Sequence, residues 1–470
     1  MRLNKIVATL GPSIESKWIL KQIDKYVDVY RINLSHADLI KTRKLIKTIR
    51  EIDDKKVFMI DTKWPEIRTT NEEITVNKWD IIKVYNTKKE GFVSFEYKFF
   101  ENIPENIEIS FNDKAVIGNV IKNNKEFLEV EIIQWWTIGY NKTVNFIWYE
   151  IELDFLTEKD KKDLKFAIEE NIALIAVSFV KTAQDIIDLR NFIKEEFDGY
   201  DMKIIAKIET ESAVKNIKEI IKVSDGIMIA RWDLWANINM IKLPQIQEEI
   251  IKYCNIAWKP VILATQVMSS MVNKAVPTRA EIDEIAYSIE HWVDALMLSD
   301  ETAIWKYPVE TLKFMDEVIR EYQFHIANKK FSWEEINEFV NENNLITDYI
   351  LYNAKKIAYK LKAKYIVTPT ESGYSPGKMS ALKPKMPIIA FTTSDKVFKY
   401  CNLMFGVKAI KVWEGQCAYK NFKRIVWETL QLQFRWKIKW DDKIVITHST
   451  IADHQTNMIN GLEVIKFKDL

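Results

Sequence analysis

The feature that most constrains this chain is a short apolar run, repeated many times, that ends in polar residues. Eight occur in the first 300 residues: 5-KIVATLG, 27-VDVYRINLSH, 56-KVFMIDTK, 173-ALIAVSFV, 203-KIIAKIE, 226-GIMIARWDL, 260-PVILATQ and 295-ALMLSD. Runs so continuously apolar and β-branched read as strands buried on both faces. Amphipathic helical stretches such as 184-QDIIDLRNFIKEEF and 242-KLPQIQEEIIKYCNIA separate most of them. The alternation predicts an α/β fold of the (β/α)8 barrel type. Polar residues gather at the C-terminal end of each run: Arg31, Asn33 and Ser35; Asp61 and Thr62; Ser178; Lys207 and Glu209; Arg231 and Asp233; Thr265; Ser299 and Glu301. In such a barrel the loops at that edge converge on one mouth, where an active site is expected.

The remaining sequence departs from this rhythm twice. Residues 69–150 are rich in Val, Ile, Phe and Asn with short alternating segments, and read as a small inserted β-barrel domain acting as a lid. The catalytic barrel would then comprise 1–68 and 151–325. From 340 to 470 a new alternation (364-KYIVTPT, 386-MPIIAFT, 407-VKAIKVW, 443-KIVITHS) predicts an open C-terminal α/β domain. Lys+Arg 68 against Asp+Glu 67 gives no whole-chain case for nucleic-acid binding, and no apolar run approaches a membrane span of roughly 18 residues. Met1-Arg2-Leu3-Asn4-Lys5 leads directly into strand-like sequence, so no signal peptide is expected. Three dispersed cysteines argue against a disulfide framework or a zinc cluster. A cytoplasmic protein is expected.

Two constellations carry chemistry. Glu209 and Asp233, on successive strands, offer two carboxylates with no nearby His or Cys, a donor set suited to a hard cation such as Mg2+. Lys207 shares the strand face of Glu209 and would offer its charge to a phosphate or an enolate oxygen. In 31-RINLSH and 61-DTKWPEIRT, the neutral oxygens of Asn33, Ser35 and Thr62 with the single carboxylate of Asp61 suit a monovalent cation. Arg31 and Arg68 are forked donors, the chemistry expected for phosphate.

At these residues the chain resembles pyruvate kinase. The resemblance runs through 4-NKIVATLGPS, 31-RINLSHAD, 60-IDTKWPEIRT, 157-TEKDKKDLKFAI, 203-KIIAKIE, 226-GIMIARWDLW, 264-ATQVMSSM, 277-PTRAEIDEIA and 297-MLSDETAIWKYPVE, and continues at 370-TESG and 387-PIIAFT. It implies transfer of the phosphoryl group of phosphoenolpyruvate to ADP, giving pyruvate and ATP. Glu209 and Asp233 would bind Mg2+ or Mn2+; Asn33, Ser35, Asp61 and Thr62 would bind K+, with Glu66 marking a potassium-dependent member. Lys207 would meet the transferring phosphoryl group and Arg31 the substrate phosphate. The substrate carboxylate would lie at Thr265 and at the backbone N–H groups of Trp232 and Asp233. His36, Arg68 and Lys142 match nucleotide-side positions, and Ser299 belongs to proton delivery. The resemblance also implies a homotetramer and an effector pocket for a sugar phosphate or nucleotide at Thr370, Ser372 and Ser375. A Mg2+-dependent carbon–carbon lyase is the rival enzyme, disfavoured by the potassium cluster, Arg68 and the lid. A metabolite-binding pseudokinase is the non-enzymatic rival.

One count does not fit. A chain of this length should carry roughly 33 glycines, and it has 11, alongside 16 tryptophans. Trp64, Trp79, Trp148, Trp232, Trp235, Trp258, Trp292, Trp305 and Trp440 all fall where the family has glycine, and Trp135 and Trp136 could add two more. Substitution at random would not select one residue so often, which points to UGA codons read as glycine by the source organism. A chain that truly carries tryptophan is expected to show strain around Trp64, Trp232 and Trp235. Asp300 and Ser269 depart from the family's glycine and glutamate without such an explanation; Ser269 implies a missing local ion pair.

Overall fold

The computed structural model describes residues 1–35, 37–62, 67–97, 100–112, 114–147, 149, 158–238, 240–304, 306–326, 344–413, 419–434, 438–449 and 459–470. The eight apolar runs form eight parallel strands closed into a barrel: Lys5–Thr9, Val29–Asn33, Val57–Asp61, Leu174–Val177, Lys203–Ile208, Gly226–Ala230, Val261–Ala264 and Ala295–Leu298. The seam closes where Lys5 registers with Ala295 and Ala8 with Leu298.

Side-chain alternation explains why the runs are apolar throughout. One set of residues, including Ile6, Tyr30, Ile32, Phe58, Ile60, Ile175 and Ile204, packs in the same core as the helix residues Leu20, Ile46 and Leu189. The alternate set, including Val7, Val29, Met59, Ala176, Ile205, Met228, Ile262 and Met297, enters a different cluster. Both faces are therefore buried. Arg31, Asp61, Lys207 and Glu209 continue the rows of Val29, Met59 and Ile205, so each polar residue extends the set that does not face the helices.

Between the third and fourth barrel strands, Ile81–Tyr85, Val93–Ser94, Glu108–Phe111, Val116–Asn123, Phe127–Gln134 and Val144–Ile147 build a six-stranded sheet. It has its own core, with Phe95, Phe100, Phe111 and Leu128 fully buried. Ile74–Thr75 pairs separately with Thr137–Ile138. The C-terminal sheet contains Tyr365–Pro369, Ile388–Thr392, Val407–Lys411 and Lys443–His448 in parallel, and Gly461–Lys466 added antiparallel at one edge. The hydrophobic pattern marked the first four; the fifth is a part-exposed edge strand with a weaker apolar signal.

The C-terminal domain is joined to the barrel by buried polar contacts at the first and eighth strands. Gly406 N–H donates to the Leu3 carbonyl (2.7 Å) and Lys5 Nζ to the Val407 carbonyl (2.5 Å). Asp294 accepts from Lys383 Nζ (2.9 Å), Phe405 N–H (3.0 Å) and Val261 N–H (3.0 Å), so it touches both domains. Among the described residues no helix is long and apolar enough to cross a membrane.

Candidate active site

The barrel mouth is built around a buried cation held between carboxylates. Lys207 Nζ lies 2.8 Å from Glu209 Oε1 and 3.1 Å from Asp61 Oδ1. Arg31 closes the other side of Asp61, with Nε 2.7 Å from Oδ2, and reaches the Thr9 hydroxyl at 2.9 Å. All four charged groups are buried. Burial alone would raise the Asp61 carboxyl, but Arg31 and Lys207 outweigh it and hold the group below its usual range. Burial alone would lower the Lys207 ammonium; Asp61, Glu209 and Asp233 outweigh it and hold it above its ordinary value.

Two residues that sequence reasoning left without a role complete this cluster. Ser178 Oγ accepts from Lys207 Nζ (2.7 Å) and donates to the Thr62 carbonyl (2.7 Å). Phe179 N–H donates to Glu209 Oε2 at 2.6 Å. Phe179 reaches that position with φ +52°, in the left-handed region that a bulky residue rarely enters. Ser178 was visible as a polar strand end; nothing in the sequence marks the backbone twist after it.

Asp233 lies in the first turn of the helix Arg231–Asn237. Asn237 Nδ2 donates to the backbone carbonyls of both Glu209 (3.0 Å) and Asp233 (2.9 Å), tying the two candidate metal-binding segments together. Among the described residues no group of three or more His, Cys, Asp or Glu side chains is placed to hold a metal. A divalent ion here would therefore rest on two carboxylates, with water and substrate oxygens completing the shell, the habit of Mg2+. On the monovalent side, Asn33 Oδ1 takes the Ser35 N–H (3.1 Å), which folds Ser35 back beside the strand end.

Thr265 follows the seventh strand with φ +67°, and Gln266 continues with φ +53°. Arg231 secures this turn through two donors to the Thr265 carbonyl, at 2.6 and 3.2 Å, and pairs with Glu284. Trp232 N–H, expected to receive substrate carboxylate, donates to Thr265 Oγ1 at 3.0 Å, so these two candidates meet. Ser299 N–H donates to the buried Glu301 carboxylate (2.8 Å), which also takes the Met268 N–H (3.3 Å). Burial raises the Glu301 carboxyl. Asp300 is exposed. Near Ser269, Glu281 is satisfied by Ser270 and Thr278 instead of by a charge.

Arg68 and Lys142 come together where the barrel passes into the inserted sheet. Arg68 donates to the Asn141 carbonyl (2.9 Å), Thr69 N–H to the Lys142 carbonyl (2.8 Å), and Arg68 bridges to Thr143. His36, Trp64, Glu66, Trp148 and Trp305 lie outside the described residues. In the C-terminal domain, Thr370 Oγ1 accepts the Gly373 N–H (2.9 Å) and Ser372 Oγ the Tyr374 N–H (3.3 Å). Ser375 is buried in the helix Tyr374–Ala381.

The strain expected at Trp232 and Trp235 is not where the backbone puts it. Both sit in regular helix, their rings edge to face at 5.3 Å. The left-handed tryptophans are instead Trp79 (φ +72°), Trp258 (φ +51°) and Trp292 (φ +70°). After the helix Leu243–Ile256, Trp258 N–H bonds the Asn255 carbonyl and Lys259 N–H the Cys254 carbonyl. After Arg279–Glu290, Trp292 and Val293 repeat the pattern onto Ile289 and Ser288. This paired arrangement is the Schellman helix end, whose left-handed position is ordinarily glycine. Trp79 is third in a turn closed by Asp80 N–H onto the Asn77 carbonyl, a place that also calls for glycine.

Comparison with known proteins agrees with this geometry. The family model described as pyruvate kinase, barrel domain, matches residues 1–312, and that of the pyruvate kinase alpha/beta domain matches 348–463. Pyruvate kinase from Bacillus licheniformis is 34% identical over 480 residues, covering 99% of this chain and 81% of that protein. The Clostridium perfringens pyruvate kinase is 32% identical over 491 residues, with 100% of each chain covered. A crystal structure of a pyruvate kinase from Cryptosporidium parvum superposes with a TM-score of 0.89 at 26% identity, covering 99% of this chain and 96% of that one. Barrel, inserted sheet, C-terminal sheet and sequence thus point one way: the chain belongs to the pyruvate kinase family of phosphotransferases.

Proposed function

We propose that the barrel mouth transfers the phosphoryl group of phosphoenolpyruvate to ADP, as a glycolytic, cytoplasmic pyruvate kinase. The observation that carries this is the buried Lys207, held between Asp61 and Glu209. Phosphoryl transfer asks the protein chiefly to position reactants and neutralise charge. Lys207 and Arg31 supply fixed positive charge for the phosphate. Glu209 and Asp233 would hold Mg2+ or Mn2+, and Asn33, Ser35, Asp61 and Thr62 would hold K+; these ions add positive charge beside the transferring group when bound. Arg68, Lys142 and His36 would orient the nucleotide. Trp232 N–H and Thr265 would receive the substrate carboxylate, and Thr265 with Ser299 would carry the proton to the enolate carbon. The 69–150 lid, hinged beside Arg68, would exclude water from a catalytic barrel of 1–68 and 151–325. The 340–470 domain would be regulatory, in a homotetramer, with Thr370, Ser372 and Ser375 meeting a sugar phosphate or nucleotide. The test is a coupled ADP-to-ATP assay on the full-length chain with glycine restored at the tryptophan positions above, with and without potassium. ATP formation that potassium stimulates is expected; metabolite binding without ATP formation would favour the pseudokinase.

The same reading includes glycine at many of the tryptophan positions. Three tryptophans in glycine-demanding backbone support it. Trp232 supports it differently, because an indole there would crowd the backbone that substrate must approach. Inspection of the codons decides: UGG at 64, 232 and 235 ends the idea, and UGA is expected at 79, 258 and 292 as well.

A further inference from the structure

The Ser178 hydroxyl stands between the two halves of the mouth. Its oxygen is 2.7 Å from Lys207 Nζ, 2.7 Å from the Thr62 carbonyl and 3.4 Å from Asp61 Oδ1, and the residue is buried. The chemistry fixes the direction of these bonds. An ammonium has only protons to give, so Ser178 must accept from Lys207. A carbonyl can only accept, so the single hydroxyl proton goes to Thr62, the nearer and better placed partner. The chain runs Lys207 N–H to Ser178 O–H to Thr62 C=O. One end is the cation proposed to meet the phosphoryl group. The other belongs to a proposed potassium ligand. The next residue, Phe179, holds Glu209 through its N–H from a left-handed backbone. Such an outlier persists only where the surroundings impose it.

We propose that Ser178 is a positioning residue that couples the monovalent-cation site to Lys207. A cation at Asp61 and Thr62 competes with Lys207 for the Asp61 carboxylate and draws on the same carbonyl that Ser178 uses. Lys207 is thereby released from Asp61 while Ser178 keeps its nitrogen in place for the phosphoryl group. The inference rests on the potassium and phosphoryl-transfer reading above.

The experiment compares the full-length chain, with glycine restored at the tryptophan positions above, with its Ser178→Ala and Ser178→Thr variants, measuring kcat and KM for phosphoenolpyruvate across a potassium series, and Mn2+ affinity by direct titration. Losing a hydrogen bond to a charged group should lower kcat in Ser178→Ala roughly ten- to hundredfold. The stimulation by potassium should shrink by a similar factor, while Mn2+ affinity stays within about twofold, since Glu209 keeps its Phe179 contact. Ser178→Thr, which keeps the hydroxyl, should recover most of the potassium response. A lower kcat with the full potassium stimulation retained would overturn the coupling, because Ser178 would then merely support Lys207. Should Ser178→Ala not fold, Ser178→Cys serves the same comparison, its thiol being a poor acceptor. A parent chain that makes ATP but ignores potassium removes this inference alone. One that makes no ATP removes the functional reading as well.

Discussion

The barrel mouth and the 370–375 loop both follow a parallel strand and both are polar, yet they satisfy their polar groups in opposite ways. At the mouth, Lys207, Asp61, Glu209 and Arg31 are taken out of water and answer one another. Removing any one leaves an uncompensated buried charge, so the cluster is costly to keep without a use. At the loop, Thr370 and Ser372 give their oxygens to backbone N–H groups two or three residues on. A turn that completes itself in this way is stable with or without a ligand. Polar residues after a strand are therefore a weak signal alone; ions buried together are a strong one.

The largest expected effect comes from breaking the mouth. Lys207→Met should lower kcat roughly a thousandfold, and should destabilise the fold by about 3 kcal/mol because Asp61 and Glu209 lose their shared partner. Steady-state kinetics and thermal unfolding check both. A loss of activity without loss of stability would mean that the carboxylates are not held by Lys207.

Acid and base should separate the regions next. Asp61 sits below its usual 3.8, so its contribution is present above that value and is lost as the pH falls through its depressed folded pKa. Lys207 sits above its usual 10.5, so its contribution survives until the pH rises beyond that value. The mouth is thus steady across the range between. In the C-terminal domain, burial pushes Lys355 down to about 8. Between 8 and 10.5 the unfolded chain holds a proton there that the folded chain has lost, so stability should rise with pH. Denaturant unfolding from pH 7 to 10 should show this rise, and Lys355→Met should abolish it.

Smaller still is the backbone term. Trp79 is 65% exposed, so little packing offsets its left-handed conformation, and Trp79→Gly should stabilise by about 1 kcal/mol. Trp258 and Trp292 are part-buried, Trp258 packing on Tyr374 at 4.7 Å, so glycine there should gain less. The smallest effect belongs to the loop. Thr370→Ala with Ser372→Ala should change basal kcat by less than about twofold and cost about 1 kcal/mol of stability. A larger loss of basal activity would show that the loop and the mouth are not so different after all.

What was legible in the sequence follows from these physical contrasts. Burial on both faces makes a strand continuously apolar, so all eight barrel strands stood out, and alternation put Lys207 and Glu209 on one face. The edge strand Gly461–Lys466 carries no such signal and was missed. Residue chemistry pointed Asn33 and Thr62 to a monovalent cation, but its identity as potassium and the role of Thr265 came from resemblance, because a hydroxyl or amide at a strand end is chemically ambiguous. The Phe179 twist and the left-handed Thr265 depend on tertiary restraint, which local sequence does not express. Strain at Trp232 and Trp235 is not found, since a helical position tolerates an indole that a helix end does not, as at Trp258 and Trp292; Trp64 lies outside the described residues.

The contacts that join Leu3 and Lys5 to residues 406–407 set an order of events in synthesis. The first barrel strand, with the residues just before it, offers a carbonyl (Leu3) and an ammonium (Lys5) that are completed only by residues made well after the eighth strand. At ribosomal rates the nascent barrel waits on the order of ten seconds between finishing its eighth strand and meeting those partners. During that interval Lys5 and Asp294 are without the C-terminal partners Val407, Lys383 and Phe405. The contact between the two domains is thus closed from a part of the chain made after the barrel is complete.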